Sequence, residues 1–483
     1  MRRAGRPPRR FGLAGPSFST TDKADVSNTI MQPASKEAYR LFHEGALALT
    51  RMEVNGLPID EPALDRAIAD ISARIKDQED QLRAMPEYVE QRKRFGAKCK
   101  LGSREQLAHI YYNVMGFPGG KTNPETGKLS LDDEALKELG TPYAKLYQRT
   151  QKLHKLRGTY LFDFKREVCN GYVHAFFNLH KVVTYRSSAD SPNLQNLPVR
   201  DPEIGNIIRG IVRPHDSDNV IVEIDYSALE VHIAACYHRD PTMLEYLETG
   251  HDLHKDMAIE CYKLDAIEKP IRTQIKSGFT FSAFYGNYWA SMARDLWYFA
   301  EGHTMTSGKL LTQHLKEKGI SGLGHENAPT SDSFMQHIKT VEGRFWGERF
   351  SVYDRWRKDW HREYLRNGFM YTLTGFRIWG VFKRNEVINS PVQGAAFHCL
   401  LKSIIELTKR IEKQKMGTKL VVQIHDSLVA VVPRSELEEY IAMANEVMTK
   451  WLRQVWPWII VDLKTEVEVA QESWATKKAY HPS

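Results

Sequence analysis

Two strongly β-forming runs, far apart in the chain, each deliver an aspartate at their end, and this pairing constrains the fold more than any other feature. Val220-Ile-Val-Glu-Ile224 runs into Asp225, and Leu420-Val-Val-Gln-Ile424 runs into His425-Asp426-Ser427. Leu428-Val-Ala-Val-Val432 follows, so the second piece reads as a hairpin with His-Asp-Ser at its bend. As neighbours in one sheet, the two strands would bring their carboxylates together. Paired carboxylates repel unless cations lie between them. Hard oxygen ligands select magnesium, which takes one or two carboxylates plus substrate phosphates. Two such ions can activate an attacking oxygen and stabilise a leaving one. Aspartates after apolar runs also occur in unrelated enzymes, so the surrounding residues must decide.

Most of the remaining chain is helical in pattern. Residues 35–85 read as helix, turn and helix, broken at Asn55-Gly-Leu-Pro58. Ser103-Arg-Glu-Gln106 and Ser130-Leu-Asp-Asp133 each have the form of a capping box. Along 142–160, Lys145, Arg149, Lys152 and Lys155 share one helical face. Such a stripe suits a phosphate backbone and equally a solvated surface. The basic run at 86–100 reads as a solvated face, and Tyr172–Phe177 alternates like a strand. Residues 238–380 are mainly helical. Within them Arg272 and Lys276 stand four apart, so both cations point one way and can bind a triphosphate. The stretch at 300–345 reads as an inserted loop.

Bulk properties narrow the class. A chain of 483 residues suggests about three domains. No apolar run reaches the roughly 18 residues needed to cross a membrane. The net charge is +7, but five of those charges are Arg2, Arg3, Arg6, Arg9 and Arg10, in an acid-free stretch of 21 residues, which leaves +2 for the remainder. Nucleic-acid binding must therefore be argued from where charges sit. The five cysteines form no C-x-x-C pair, which gives no support to a zinc site or disulfide framework. Residues 1–36 read as a basic flexible tail or a remnant of an exonuclease domain, with an organellar transit peptide as a further alternative.

The neighbours of the two aspartates carry a resemblance. Asp225-Tyr-Ser-Ala-Leu-Glu230 resembles motif A of family A DNA polymerases, and His425-Asp426 resembles motif C. Arg272-x-x-x-Lys276 followed by Phe284-Tyr-Gly286 is similar to motif B. Gly171-Tyr-Val-His, Thr184-Tyr-Arg186-Ser-Ser, Asn193-Leu-Gln-Asn-Leu-Pro198, Asp252-Leu-His254 and Asn389-Ser-Pro-Val-Gln393-Gly394 resemble further segments of the family, in family order, over residues 37 to about 470. The resemblance implies an α+β right hand. Its thumb would span 37–165, its mainly helical fingers 238–380, and its palm, with an antiparallel sheet, 166–237 and 381–483.

By the same resemblance, Asp225, Asp426 and the Tyr226 carbonyl would hold two magnesium ions. Glu230 would sit against the sugar and exclude ribonucleotides. His254, Arg272 and Lys276 would contact the triphosphate, with Lys276 also able to protonate pyrophosphate. Phe281 and Tyr285 would stack near the nascent pair. Arg186, Asn193, Gln195, Asn389, Gln393 and His425 would face the primer–template, where donors meet minor-groove acceptors present at every base pair. Expected partners are primer–template DNA, deoxynucleoside triphosphates and a separate exonuclease or replisome protein, in the cytoplasm (the host's, if the chain is phage-encoded), with no membrane.

The chain also departs from the family pattern. Lys276 to Tyr285 is nine residues, one more than the family spacing. Either Thr280 and Phe284 take the aromatic positions, or a π-bulge absorbs the extra residue and keeps Phe281 and Tyr285 there. Ser427 replaces the usual motif C glutamate, Ala228 the usual glutamine, and His232 the usual arginine. The residues before 37 are too few for a nuclease domain, so neither a 3′→5′ nor a 5′→3′ exonuclease is expected. The short, nuclease-free form and divergent motifs resemble phage enzymes.

Overall fold

The computed structural model describes residues 33–122, 127, 129–197 and 201–481; the tail up to residue 32 and Pro198 lie outside the described residues. At its centre is a five-stranded sheet of β1 (Asn219–Tyr226), β2 (Lys419–Ile424), β3 (Ser427–Pro433), β4 (Thr465–Ala470) and β5 (Lys478–Ala479). The order is β2-β3-β1-β4-β5, with every pairing antiparallel. The two runs singled out in the sequence are β1 and the β2–β3 hairpin, and β3 lies directly beside β1. Side chains alternate across a strand. Val220, Val222, Ile224 and Tyr226 therefore enter the largest core. Ile221 enters a second core on the opposite face, which leaves Glu223 and Asp225 on that face.

Helices α1 (Pro33–Asn55) and α2 (Glu61–Ala84) are separated where expected, because Gly56 takes φ +68 and Leu57–Pro58 pairs with Tyr172–Val173. Asp60 caps α2 by accepting from the Ala63 N–H. Leu64, Ile71 and Ile75 of α2 join Leu153 of α3 (Pro142–Lys155) in the second core. A separate small core around Leu107, Tyr111 and Tyr147 forms the far end of this helical region.

Three local expectations change. Ser103 caps its helix, but Gln106 turns to the Lys100 N–H at 2.9 Å, so only half of that capping box forms. The next helix is opened by Asp132, which accepts from the Ala135 N–H at 2.8 Å, and not at Ser130. The alternating stretch at 172–177 splits, since Phe176–Asn178 pairs with Ser188–Asp190 instead of continuing the first strand.

Beyond β1 come α4 (Leu229–His238), α5 (Leu253–Tyr262) and α6 (Lys269–Ile275); α6 continues through a π-helical turn, Lys276–Phe281, to Ser282–Phe284. The stretch at 300–345 contains two helices, Leu311–Glu317 and Phe334–Arg344, and the second packs on Trp289–Gly302. Helix α7 (Arg384–Gln414) packs against α1 and α4 and carries Pro391 inside it. Proline has no N–H to give the carbonyl four residues earlier. The Trp360 indole donates to that carbonyl, of Val387, at 3.1 Å instead. No helix among the described residues is long and apolar enough to cross a membrane.

Candidate active site

The register of β3 on β1 sets Ser427 opposite Asp225, and the Tyr226 N–H donates to the Asp426 carbonyl at 3.3 Å. His425, with φ +51, makes the tight turn that brings Asp426 back to β1. Burial, then the charges of Asp426, Glu223 and Glu466, push Asp225 up to about 7. Burial, then Glu230, push Asp426 up to about 6, against the opposing pull of Arg186. The Oδ1 atom of Asp426 is buried with no hydrogen-bond partner. A buried orphan oxygen beside a second, repelling carboxylate is what a hard divalent cation would satisfy. No group of three or more His, Cys, Asp or Glu poised to hold a metal occurs among the described residues. The Asp225–Asp426 pair, with its buried orphan oxygen, fits magnesium, which rests on one or two carboxylates and takes its other ligands from water and phosphate. The Tyr226 hydroxyl is committed to the Met448 carbonyl at 2.7 Å, leaving its backbone carbonyl as the group it could offer. Ser427 is buried and spends its hydroxyl proton on the Ile424 carbonyl at 3.0 Å, and it brings no carboxylate to the site.

The π-helical turn decides the aromatic positions of α6. Thr280 is fully buried, and Phe284 packs among Phe345, Phe350 and Tyr353. Phe281 instead lies 5.5 Å from the Lys276 ammonium and 5.4 Å, edge-on, from His254. Phe281 and Tyr285 therefore face the cleft, Thr280 belongs to the core, and the largely buried Phe284 forms part of the wall of both recesses while packing on the core. One recess of the cleft is lined by Asp252, His254, Arg272, Lys276 and Phe281. Asp252 holds the Arg272 guanidinium through both oxygens, at 2.5 and 3.2 Å, and also caps α5 through the His254 N–H. Burial, then Arg272, hold His254 down to about 4, so its imidazole is neutral at physiological pH. An adjoining recess is lined by Glu230, Phe281, Tyr285, Asn389 and Gln393. There Glu230 accepts from Arg186 at 2.7 Å and from the Tyr285 hydroxyl.

Lys152, Lys155, Tyr160, Gln195 and His425 line a broad groove beside the two aspartates, and Asn193 lines a recess next to it with Lys155. Only part of the α3 stripe is thus directed at the groove. Arg149 and Lys152 also pair with Glu203 and Asp201. Asn389 donates to the Tyr285 carbonyl at 3.2 Å, which pins the end of the α6 segment to α7. One site residue and one site pairing escape a reading of the sequence alone. Gln423, inside β2, accepts from Ser187 and Gln195 at 2.8 Å each and donates to the His425 carbonyl at 2.7 Å. Its signal is a lone amide within an apolar strand. Asp252 is marked in the sequence by the Asp252-Leu-His254 segment, but its pairing with Arg272 is not, because the two sit on different helices.

A five-stranded antiparallel sheet presenting two aspartates, with a recess lined by Arg272 and Lys276 and a groove lined by Lys152 and Lys155, is consistent with an α+β right-hand polymerase fold. The polymerase domain of Pol1 from M. smegmatis, solved in complex with DNA primer-template and dNTP, has this fold: it superposes with TM-score 0.72 at 20% identity, over 95% of this chain and 73% of that one. The sequence pattern of DNA polymerase family A matches residues 70–313 and 346–476. The chain belongs to DNA polymerase family A. Similar proteins include the thermostable DNA polymerase I of Thermus thermophilus, 27% identical over 89% of this chain and 47% of its own length. DNA polymerase I of Bacillus subtilis is 24% identical over 83% of this chain and 42% of its own length. The chain thus spans about half the length of the curated relatives it matches.

Proposed function

We propose that this chain carries out template-directed DNA synthesis, joining a deoxynucleotide to a primer 3′-hydroxyl with release of pyrophosphate. One observation carries the reading: Asp225 and Asp426 meet through β1 and the β2–β3 turn, and Asp426 keeps a buried orphan oxygen. Asp225, Asp426 and the Tyr226 carbonyl would hold a pair of magnesium ions, which supply charge neutralisation and activation of the attacking oxygen.

The chain's own groups do the rest. Arg272 and Lys276 offer cations to the triphosphate, and Lys276 can give a proton to the leaving pyrophosphate. Neutral His254 donates from one ring nitrogen. Phe281 and Tyr285 flank the incoming base. Glu230, fixed between Arg186 and Tyr285, fills the space that a 2′-hydroxyl would need. Asn193, Gln195, Asn389, Gln393, Arg186 and His425 line the path of the primer–template. On this reading residues 37–165 act as thumb, 238–380 as fingers, and 166–237 with 381–483 as palm. The work is placed with DNA in the cytoplasm.

The test is primer extension with magnesium and four deoxynucleotides, comparing the wild type with Asp225→Asn and Asp426→Asn. Extension by the wild type, lost in both variants, is expected. The inward turn of Ser427 favours one second reading, a non-catalytic primer–template binder. A folded wild type that binds primer–template without extending it would support that reading instead.

A further inference from the structure

Residues paired directly across antiparallel strands share a face of the sheet. Asp225 is paired with Glu466 and Glu223 with Glu468, so four carboxylates stand on one face of β1 and β4. Yet no three of them are gathered to hold a metal. The segment after β4 accounts for this. Trp474 is 1% exposed, and its indole donates to Glu223 Oε2 at 2.6 Å. Lys477 donates to the same oxygen at 2.7 Å and reaches Glu468 at 2.5 Å. The Glu223 side chain is only 12% exposed in this lock. Glu466 is held separately, by the Ser227 hydroxyl at 3.1 Å.

We propose that Lys477 is a positioning residue that keeps Glu223 out of the cation site, so that Asp225 and Asp426 are the only carboxylates a divalent ion meets there. The inference rests on the two-aspartate reading of the site. Cation affinity follows the number of charged ligands and the rigidity of the site. A third carboxylate would therefore trap the ion before the nucleotide arrives.

The experiment is a titration of the full chain with Mn2+ alone, followed by electron paramagnetic resonance, without nucleotide. Lys477→Met is expected to bind Mn2+ about tenfold more tightly than the wild type. Lys477→Arg should keep the wild-type affinity, and Glu223→Gln added to Lys477→Met should restore it. Trp474→Phe, which keeps the packing and removes one donor, should tighten binding less, again reversed by Glu223→Gln. It carries the test if Lys477→Met does not fold. Unchanged affinity in the folded variants, or tightening that survives Glu223→Gln, overturns the proposal. Primer extension by the wild type is measured alongside. Its failure would sink the polymerase reading, whereas intact extension with unchanged Mn2+ affinity would sink only the role of Lys477.

Discussion

Replacing Gly394 with alanine sets two physical arguments against each other. Gly394 lies inside α7, where alanine is favoured over glycine by about 1 kcal/mol on helix propensity alone. Propensity therefore predicts a more stable protein. The packing predicts the opposite. A Cβ on Gly394 would fall well inside 3.0 Å of the Thr184 carbonyl oxygen and 3.2 Å from Thr372 Cγ2. Relaxing to an ordinary carbon–oxygen separation of about 3.3 Å requires the 184 backbone to move. That turn has little freedom. The Tyr185 N–H donates to Val182, its carbonyl accepts from His398 at 3.1 Å, its hydroxyl donates to the Arg377 carbonyl at 2.9 Å, and its ring packs against Phe376.

Overpacking of this kind costs about 1–3 kcal/mol, and a weakened His398–Tyr185 bond adds about 0.5–1.5 kcal/mol. After the propensity gain, Gly394→Ala should destabilise the region by about 1–3 kcal/mol. A chain of this size unfolds in more than one step, so the informative assay is hydrogen exchange at residues 182–186, read beside thermal melting. The next residue, Arg186, holds Glu230, so the Michaelis constant for nucleotide should rise as well. Unchanged protection at Tyr185, or a protein stabilised as propensity alone predicts, would refute the packing argument.

Two other consequences are open to measurement. The Thr280 hydroxyl is buried without a partner, so Thr280→Val should stabilise the protein by about 1 kcal/mol and leave primer extension intact; a loss of extension would return Thr280 to the site. Asp225 sits near 7, well above an ordinary carboxylate, so without metal the folded chain holds a proton that the unfolded chain has released. That stabilisation is present at low pH and is lost as pH rises through about 7. In chelator, Asp225→Asn should therefore melt above the wild type at pH 8, with the gap closing toward about pH 5; a gap independent of pH would contradict this assignment.

The sequence by itself determined a good deal. The β-forming runs ending in Asp225 and Asp426, the break at Gly56, and the shared face of Arg272 and Lys276 all follow from local period and turn chemistry, which depend on near neighbours only. The choice between Phe281 with Tyr285 and Thr280 with Phe284 stayed open, because spacing assigns a face only while the helix remains regular. The fold supplies the π-helical turn that takes up the extra residue, with Phe281 beside Lys276 and His254 and Phe284 packed among Phe345, Phe350 and Tyr353. The opening of a helix at Asp132 instead of Ser130 was a smaller case, since both residues are good caps and the fold selects one.

Partnerships between distant elements were decided by tertiary structure alone. Asp252 with Arg272, Glu230 with Arg186 and Glu223 with Lys477 join side chains that no local pattern relates. The physical reason is that periodicity tells a residue which way to point, while strand register and helix packing determine what it meets there.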